Sequence, residues 1–183
     1  YVGASATNEI LAHSGSAGLA FVGLTDPNQL SFARAQSQTL TVNPAFLTNT
    51  LNTGTAVSLQ ASNDLTISSA ITANNPSGNG GALSLRAGRS VLINANITTD
   101  NGNLTVVANE LLANGVINAQ RDSGAAVITM ASGTALNAGT GNVRLTIASG
   151  AGKINLTSGN VTLRSITAGT IITENLGPST GNV

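Results

Sequence analysis

The sequence predicts an all-β chain wound as a parallel β-helix, a solenoid of stacked coils, with one short helix near residues 44–52. Three observations carry this. The unit Gly102-Asn103-Leu104 returns as Gly141-Asn142-Val143, Gly159-Asn160-Val161 and Gly181-Asn182-Val183, with looser versions at Gly81-Ala82-Leu83 and in 124–127. Self-similarity at roughly 20 residues is the mark of a solenoid. Between these units lie short runs in which apolar and hydroxyl residues alternate, bounded by Gly, Asn or Ser, as half-buried strands require. The 183 residues are 41% apolar but only 8% charged and 2% aromatic, where a globular domain carries about 25% charged residues. Small aliphatics filling a narrow interior, with hydroxyls and amides covering the outside, reconcile these figures.

Taken in order, residues 1–39 read as irregular N-terminal coils, with Leu19-Ala20-Phe21-Val22 and Leu30-Ser31-Phe32-Ala33 as strands around an Asp26-Pro27-Asn28 turn. The repeats occupy residues 40–183. After the strand Leu40-Thr41-Val42, Asn43 caps a helix that starts at Pro44 and ends at Gly54, with Phe46, Leu47 and Leu51 on one face. Strands then follow at Val57-Ser58-Leu59, Leu65-Thr66-Ile67, Leu83-Ser84-Leu85, 91–97, Leu104-Thr105-Val106, 127–130, 143–147, 153–156, Val161-Thr162-Leu163 and 170–173. The runs beginning at Leu65 and Val91 match 26 residues apart, and Asn75-Pro76-Ser77-Gly78-Asn79-Gly80 supplies the extra length of that coil. Repetition is an energetic need: ordering a coil of about 20 residues costs roughly 20–40 kcal/mol of backbone entropy. Its buried aliphatics return only about 1.5–3 kcal/mol each, so coils must stack to be stable.

Charge and composition narrow the partners. Seven basic and seven acidic residues cancel, and no basic run exists, so nucleic acid and anionic membrane surfaces are not implied partners. No apolar run reaches the length of about 18 residues that membrane insertion by a helix needs. Cysteine is absent, which removes disulfides and thiolate metal sites. The chain opens on Tyr1 and closes at Val183 just as another Gly-Asn-Val unit begins, so a fragment of a longer repeat array is expected.

Aligning strands by their first inward residue places Leu40, Val57, Leu83, Leu104, Ile128, Leu145 and Val161 in one column, with steps of 17, 26, 21, 24, 17 and 16 residues. The next, outward positions are Thr41, Ser58, Ser84, Thr105, Thr129, Thr146 and Thr162, all hydroxyls. Such a column stabilises a strand ladder and is also the candidate binding face, for glycan before ice, since ice would want two clean columns. Asn96, Asn103, Asn155 and Asn160 stand in Asn-x-Ser/Thr sequons. The turn asparagines Asn63, Asn101, Asn103, Asn142, Asn155 and Asn160 suit left-handed backbone and amide stacking between coils. The acids are scattered singly, with Asp64, Asp100 and Asp122 the set that a coil repeat would bring to one side. Two carboxylates within about 5–10 Å in a groove would favour a glycan-cleaving site. Arg89 is expected to pair with Asp100 or Glu110. His13, the only histidine, reads as a loop residue, and Asn79-Gly80-Gly81-Ala82-Leu83 lacks the aspartate of a calcium-binding nonapeptide. No cofactor and no metal is expected.

The stretch Asn52-Thr53-Gly54-Thr55-Ala56-Val57-Ser58-Leu59-Gln60-Ala61, with Asp64-Leu65-Thr66-Ile67, Ile71-Thr72-Ala73, Gly88-Arg89-Ser90 and Asn101-Gly102-Asn103-Leu104-Thr105, resembles the repeats of filamentous-haemagglutinin-type exoproteins, bacterial surface proteins exported by two-partner secretion. The resemblance covers residues 40–183. It implies a right-handed parallel β-helix acting as a stalk or adhesive fibre, secreted or held on the bacterial outer surface. The partners it implies are an outer-membrane transporter during export and receptors or glycans on host or neighbouring cells. The Asn-Pro-Asn-Gly or Asn-Ser-Asn-Gly signature of the family's secretion domain is absent from this chain. The reading is therefore a non-enzymatic adhesin segment, with a carbohydrate-active β-helix (polysaccharide lyase or hydrolase) and an ice-binding solenoid as alternatives.

Overall fold

The computed structural model describes residues 9–12, 39–150 and 156–176. The two strands and the turn expected within 19–33, His13, residues 153–155 of the strand expected at 153–156 (Asn155 among them) and the Gly181 unit lie outside the described residues. In chain order the elements are β1 (Glu9–Ala12), β2 (Thr39–Val42), α1 (Pro44–Leu51), β3 (Val57–Ala61), β4 (Leu65–Ile67), β5 (Ile71–Thr72), β6 (Leu83–Ala87), β7 (Val91–Ile93), β8 (Ile97–Thr98), β9 (Leu104–Ala108), β10 (Gly124–Met130), β11 (Ala135–Asn137), β12 (Asn142–Ile147), β13 (Leu156–Thr162), β14 (Ser165–Thr167) and β15 (Thr170–Asn175). They build three parallel sheets: sheet 1 in the order β13-β10-β7-β4-β1-β2, sheet 2 in the order β15-β12-β9-β6-β3 and sheet 3 in the order β14-β11-β8-β5.

The chain visits sheet 2, then sheet 1, then sheet 3, and repeats. Coil 1 is β3-β4-β5, coil 2 is β6-β7-β8, coil 3 is β9-β10-β11, coil 4 is β12-β13-β14, and β15 opens a fifth. This is the parallel β-helix solenoid the sequence predicts. Alternate residues of each strand point inward: Val57, Leu59, Leu65, Ile67 and Ile71 in coil 1 give way to Leu83, Leu85, Val91, Ile93 and Ile97 in coil 2, all essentially inaccessible. At β15 the inward Ile171, in register with Val143, is 48% exposed, because no further described coil lies over it.

The opposite end is closed by α1. Asn43 Oδ1 accepts from Ala45 N at 2.9 Å, Pro44 occupies the first turn, and Gly54 takes φ +77 beyond the helix, as the capping residues predict. Leu47 and Leu51 are buried and Phe46 half-buried against the core. The helix also supplies acceptors to the coil beside it. Thr48 Oγ1 takes Thr72 N at 3.4 Å, Asn52 Oδ1 takes Asn74 N at 2.7 Å and Leu51 O takes Gly81 N at 2.8 Å. An otherwise open strand edge is thereby satisfied. Strand β1 is out of chain order, lying between β2 and β4 with Ile10 in register with both Leu40 and Leu65. No side-chain pattern marks this placement, since a parallel ladder needs only backbone groups.

The Gly-Asn-Leu unit has a steric cause. A Cβ on Gly81 would stand 1.9 Å from Thr55 O, on Gly102 2.2 Å from Gly81 O, on Gly141 2.6 Å from Gly102 O and on Gly169 2.4 Å from Thr140 O. These glycines stack at the corner between sheets 3 and 2, where successive backbones touch. The following asparagine ties the coils: Asn103 Oδ1 accepts from Asn142 N at 2.9 Å, and the preceding Asn101 Oδ1 accepts from Thr140 N at 3.0 Å. Gly159-Asn160-Val161 does not belong to this corner. It lies in β13 of sheet 1, with Val161 opposite Ile128, and the true fourth member is Gly169-Thr170-Ile171.

Candidate functional site

The seven hydroxyls do not form one column. Ser58, Ser84 and Thr105 are in register on the outward side of sheet 2, but the next rung is Arg144 and the one after it Ile172. Thr146 falls one position further along, opposite Val107, where it is buried and donates to Glu174 Oε2 at 3.3 Å. Thr41, Thr129 and Thr162 belong to sheet 1, with Thr129 opposite Leu92 and Thr162. The cause is that sheets 1 and 2 carry the same alternation, so a step between sheets passes for a step between coils. The true step from coil 3 to coil 4 is 39 residues, from Asn103 to Asn142. What remains is a short half-exposed track, Ser58, Ser84 and Thr105, in which Ser84 Oγ accepts from Arg86 Nε at 3.3 Å.

Among the sequons, Asn96 and Asn103 are exposed, and each side-chain oxygen accepts a backbone N–H of the next coil, Ala135 N and Asn142 N, both at 2.9 Å. Asn160 is also exposed. The non-glycine residues with left-handed backbone are Asp100, Asn101 and Asn109 among those described, so of the described members of the expected set Asn101 alone adopts it.

The densest polar cluster lies at the corner between sheets 2 and 1. Here the chain leaves β9 and, before resuming as β10, makes an excursion over residues 109–123 with two 3-10 turns, Leu112–Asn114 and Asn118–Gln120. Neither turn was foreseen, because the stretch carries no strand or helix periodicity. Asp64 binds Arg89 through both carboxylate oxygens, and its Oδ1 also accepts Ser90 N at 3.0 Å. Asp122 Oδ2 lies 3.8 Å from Arg89 Nη2 and accepts from Asn63 Nδ2 at 2.9 Å, while Asn63 Oδ1 accepts Asp122 N at 3.1 Å. Glu110, buried, holds Arg86 Nη1 at 2.6 Å and Asn114 Nδ2 at 2.7 Å. The pairing expected of Arg89 with Asp100 or Glu110 is thus replaced by Asp64 and Asp122. Asp100 sits at another corner, where its Oδ2 accepts Asn75 N at 2.6 Å.

Arg121 is fully buried in the same excursion. Its Nη1 donates to Asn109 Oδ1 at 3.4 Å and Gly150 O at 3.3 Å, and its Nη2 to Glu110 O at 3.1 Å. Burial pulls its guanidinium below the ordinary value, and the Glu110 carboxylate acts in the opposite sense. Chemically, the corner brings Asp64 and Asp122 together as a glycan-cleaving site would, but with their oxygens turned onto arginine, amide and backbone donors. A carboxylate so engaged has few lone pairs left for a substrate hydroxyl or water. Among the described residues no three His, Cys, Asp or Glu side chains gather as metal ligands, and no described helix is long and apolar enough to cross a membrane. Compared with known proteins, the chain matches no family model, no curated protein and no solved structure.

Proposed function

We propose that this chain is a rod segment of a secreted or surface-held bacterial exoprotein, serving as a structural stalk or adhesive fibre without catalysis. The observation that carries the reading is the way successive coils are joined. Every inter-coil layer among the described coils repeats the same parallel ladder and glycine corner, and asparagine side chains tie coil 2 to coil 3 and coil 3 to coil 4, which makes a stiff element that can be extended coil by coil. Adhesion by this segment uses the Ser58, Ser84 and Thr105 track through many weak contacts to glycans or receptors, which become effective only when copies are clustered. The carbohydrate-cleaving alternative is weakened by the engaged oxygens of Asp64 and Asp122. Ice binding is weakened by Arg144 and Ile172 interrupting the hydroxyl track.

The test is twofold. Antibody raised against the folded chain should label intact bacterial cells or their culture medium, and label confined to lysed cells would overturn the proposal. Beads densely coated with the protein should bind glycan arrays or host cells about 100-fold or more above the free chain. Release of oligosaccharide from a polysaccharide panel would replace the stalk reading with the enzyme.

A further inference from the structure

In a stacked-coil protein each coil touches only its neighbours, so coils can fray from an end one at a time. The excursion over 109–123 breaks that limit. It leaves coil 3 and lies along the corner, where Val116 packs over Gly88 of coil 2 so closely that a Cβ there would stand 2.8 Å from Val116 Cγ1. It reaches coil 1 through Ile117 N, which donates to Ser62 Oγ at 3.0 Å, and through the paired bonds of Asp122 with Asn63. Arg89 of coil 2 donates to Ser123 O at 3.4 Å. In the other direction Arg121 donates to Gly150 O, which follows β12 in coil 4. One segment of chain therefore bonds to residues 55 and 59 positions before it and 29 after it.

We propose that this segment is an axial latch that makes coils 1 to 4 open as a single cooperative unit, so that β15 and anything stacked on it can fray without the rod unravelling further. The inference rests on the bonds alone and holds whether or not the chain is a stalk. Its partners in coil 1, Ser62 and Asn63, are fully buried, so displacing the latch breaks hydrogen bonds made by buried polar groups.

Hydrogen exchange on the full wild-type chain tests this directly. Amides bonded in the ladders of coil 1 (Leu65 N to Ser90 O), coil 2 (Leu83 N to Asn103 O) and coil 4 (Ala148 N to Ala108 O) should exchange at rates equal within about threefold after correction for intrinsic rates. Leu176 N, which bonds Ile147 O beyond the latch, should exchange at least about tenfold faster. A smooth gradient of protection along the axis would overturn the proposal. Urea unfolding gives the second arm: Asp122→Ala, and the milder Ser62→Ala, should lower the slope m by about a third or more as coils uncouple. Leu136→Ala in β11 should lower the midpoint at unchanged m. Latch variants that shift only the midpoint would reduce the excursion to an ordinary insertion, as would an m that falls equally in Leu136→Ala.

Discussion

The glycine corner makes the sharpest demand on sequence, and Gly102→Ala is its measure. An ideal Cβ on Gly102 meets only backbone, at 2.2 Å from Gly81 O, 2.7 Å from Gly80 O and 2.8 Å from Gly81 C. No side chain can swing away, so the two coils must part by about 1 Å to restore ordinary contact. The bonds beside the corner, Leu83 N to Asn103 O at 2.8 Å and Gly80 N to Asp100 O at 2.6 Å, would then stretch beyond useful length. Two bonds at about 1 kcal/mol each, with overpacking of about 1–3 kcal/mol, give a loss of about 3–5 kcal/mol. Gly133 is the control. Its φ of +79 disfavours alanine, but nothing lies within 4 Å of the added carbon, so Gly133→Ala costs about 1–2 kcal/mol. For a chain of this size each kcal/mol moves the melting temperature by about 2–4 °C. Circular dichroism melts should place Gly102→Ala clearly below Gly133→Ala, with Gly81→Ala lower still. Equal melting temperatures for the two would refute the argument that steric contact between coils, and not backbone conformation, fixes these glycines.

Three further outcomes follow from the polar contacts. Arg121→Ala leaves Gly150 O, Glu110 O and Asn109 Oδ1 without their buried donor, a loss of about 3 kcal/mol that a urea midpoint should register. Arg89→Ala strands the nearly buried Asp64 and should cost about 2–3 kcal/mol, whereas Arg144→Ala removes an ion pair to Glu174 that is half open to solvent and should change stability by less than about 1 kcal/mol. Similar losses for the two arginines would show that burial does not set their worth. Asn43→Ala deletes the side-chain cap of α1 and should cost about 1 kcal/mol, read as a lower melting temperature with a small loss of helical signal.

The architecture was legible wherever one residue answers to one local cause. Asn43 and Pro44 start α1, the alternation of Val57-Ser58-Leu59 makes β3, and Gly102 with Asn103 marks a corner. Register between coils was legible only where coils have similar length, as for Leu65 and Val91. It failed at the excursion over 109–123, because a long coil carries no marker of where the next layer resumes. That one slip placed Ile128 and Leu145 in the same column as Leu104, although Ile128 lies in sheet 1 and Leu145 opposes Val106. The short strands β11 and β14 escaped notice because each carries a single inward aliphatic, Leu136 and Ile166, where the equally short β4 carries two. Likewise, the run 91–97 is two strands with a turn between them. The polar corner was legible only in part: Asp64 and Asp122 do meet on one side, as a coil repeat implies, but Asp100 does not join them, and the pairing of Asp122 with Asn63, 59 residues away, depends on the path of the excursion.

The scarcity of charge acquires a cause in the same geometry. Outward positions in a parallel stack recur about every 4.8 Å along the axis, so a charge repeated in each coil would face its own copy. Two like charges at that spacing repel by roughly 1 kcal/mol in water and several times more at a partly buried surface. A repeated sequence therefore favours neutral hydrogen-bonding side chains on its faces and most readily tolerates a charge where a neighbouring layer carries the opposite one. The pairs here follow that rule. Arg86 of coil 2 meets Glu110 of coil 3, Arg89 of coil 2 meets Asp64 of coil 1, and Arg144 of coil 4 meets Glu174 of the fifth. Each therefore also bonds one coil to the next. The 8% charge content is thus a consequence of stacking, and the hydroxyls and amides that replace charge give the proposed rod a neutral surface suited to many weak contacts.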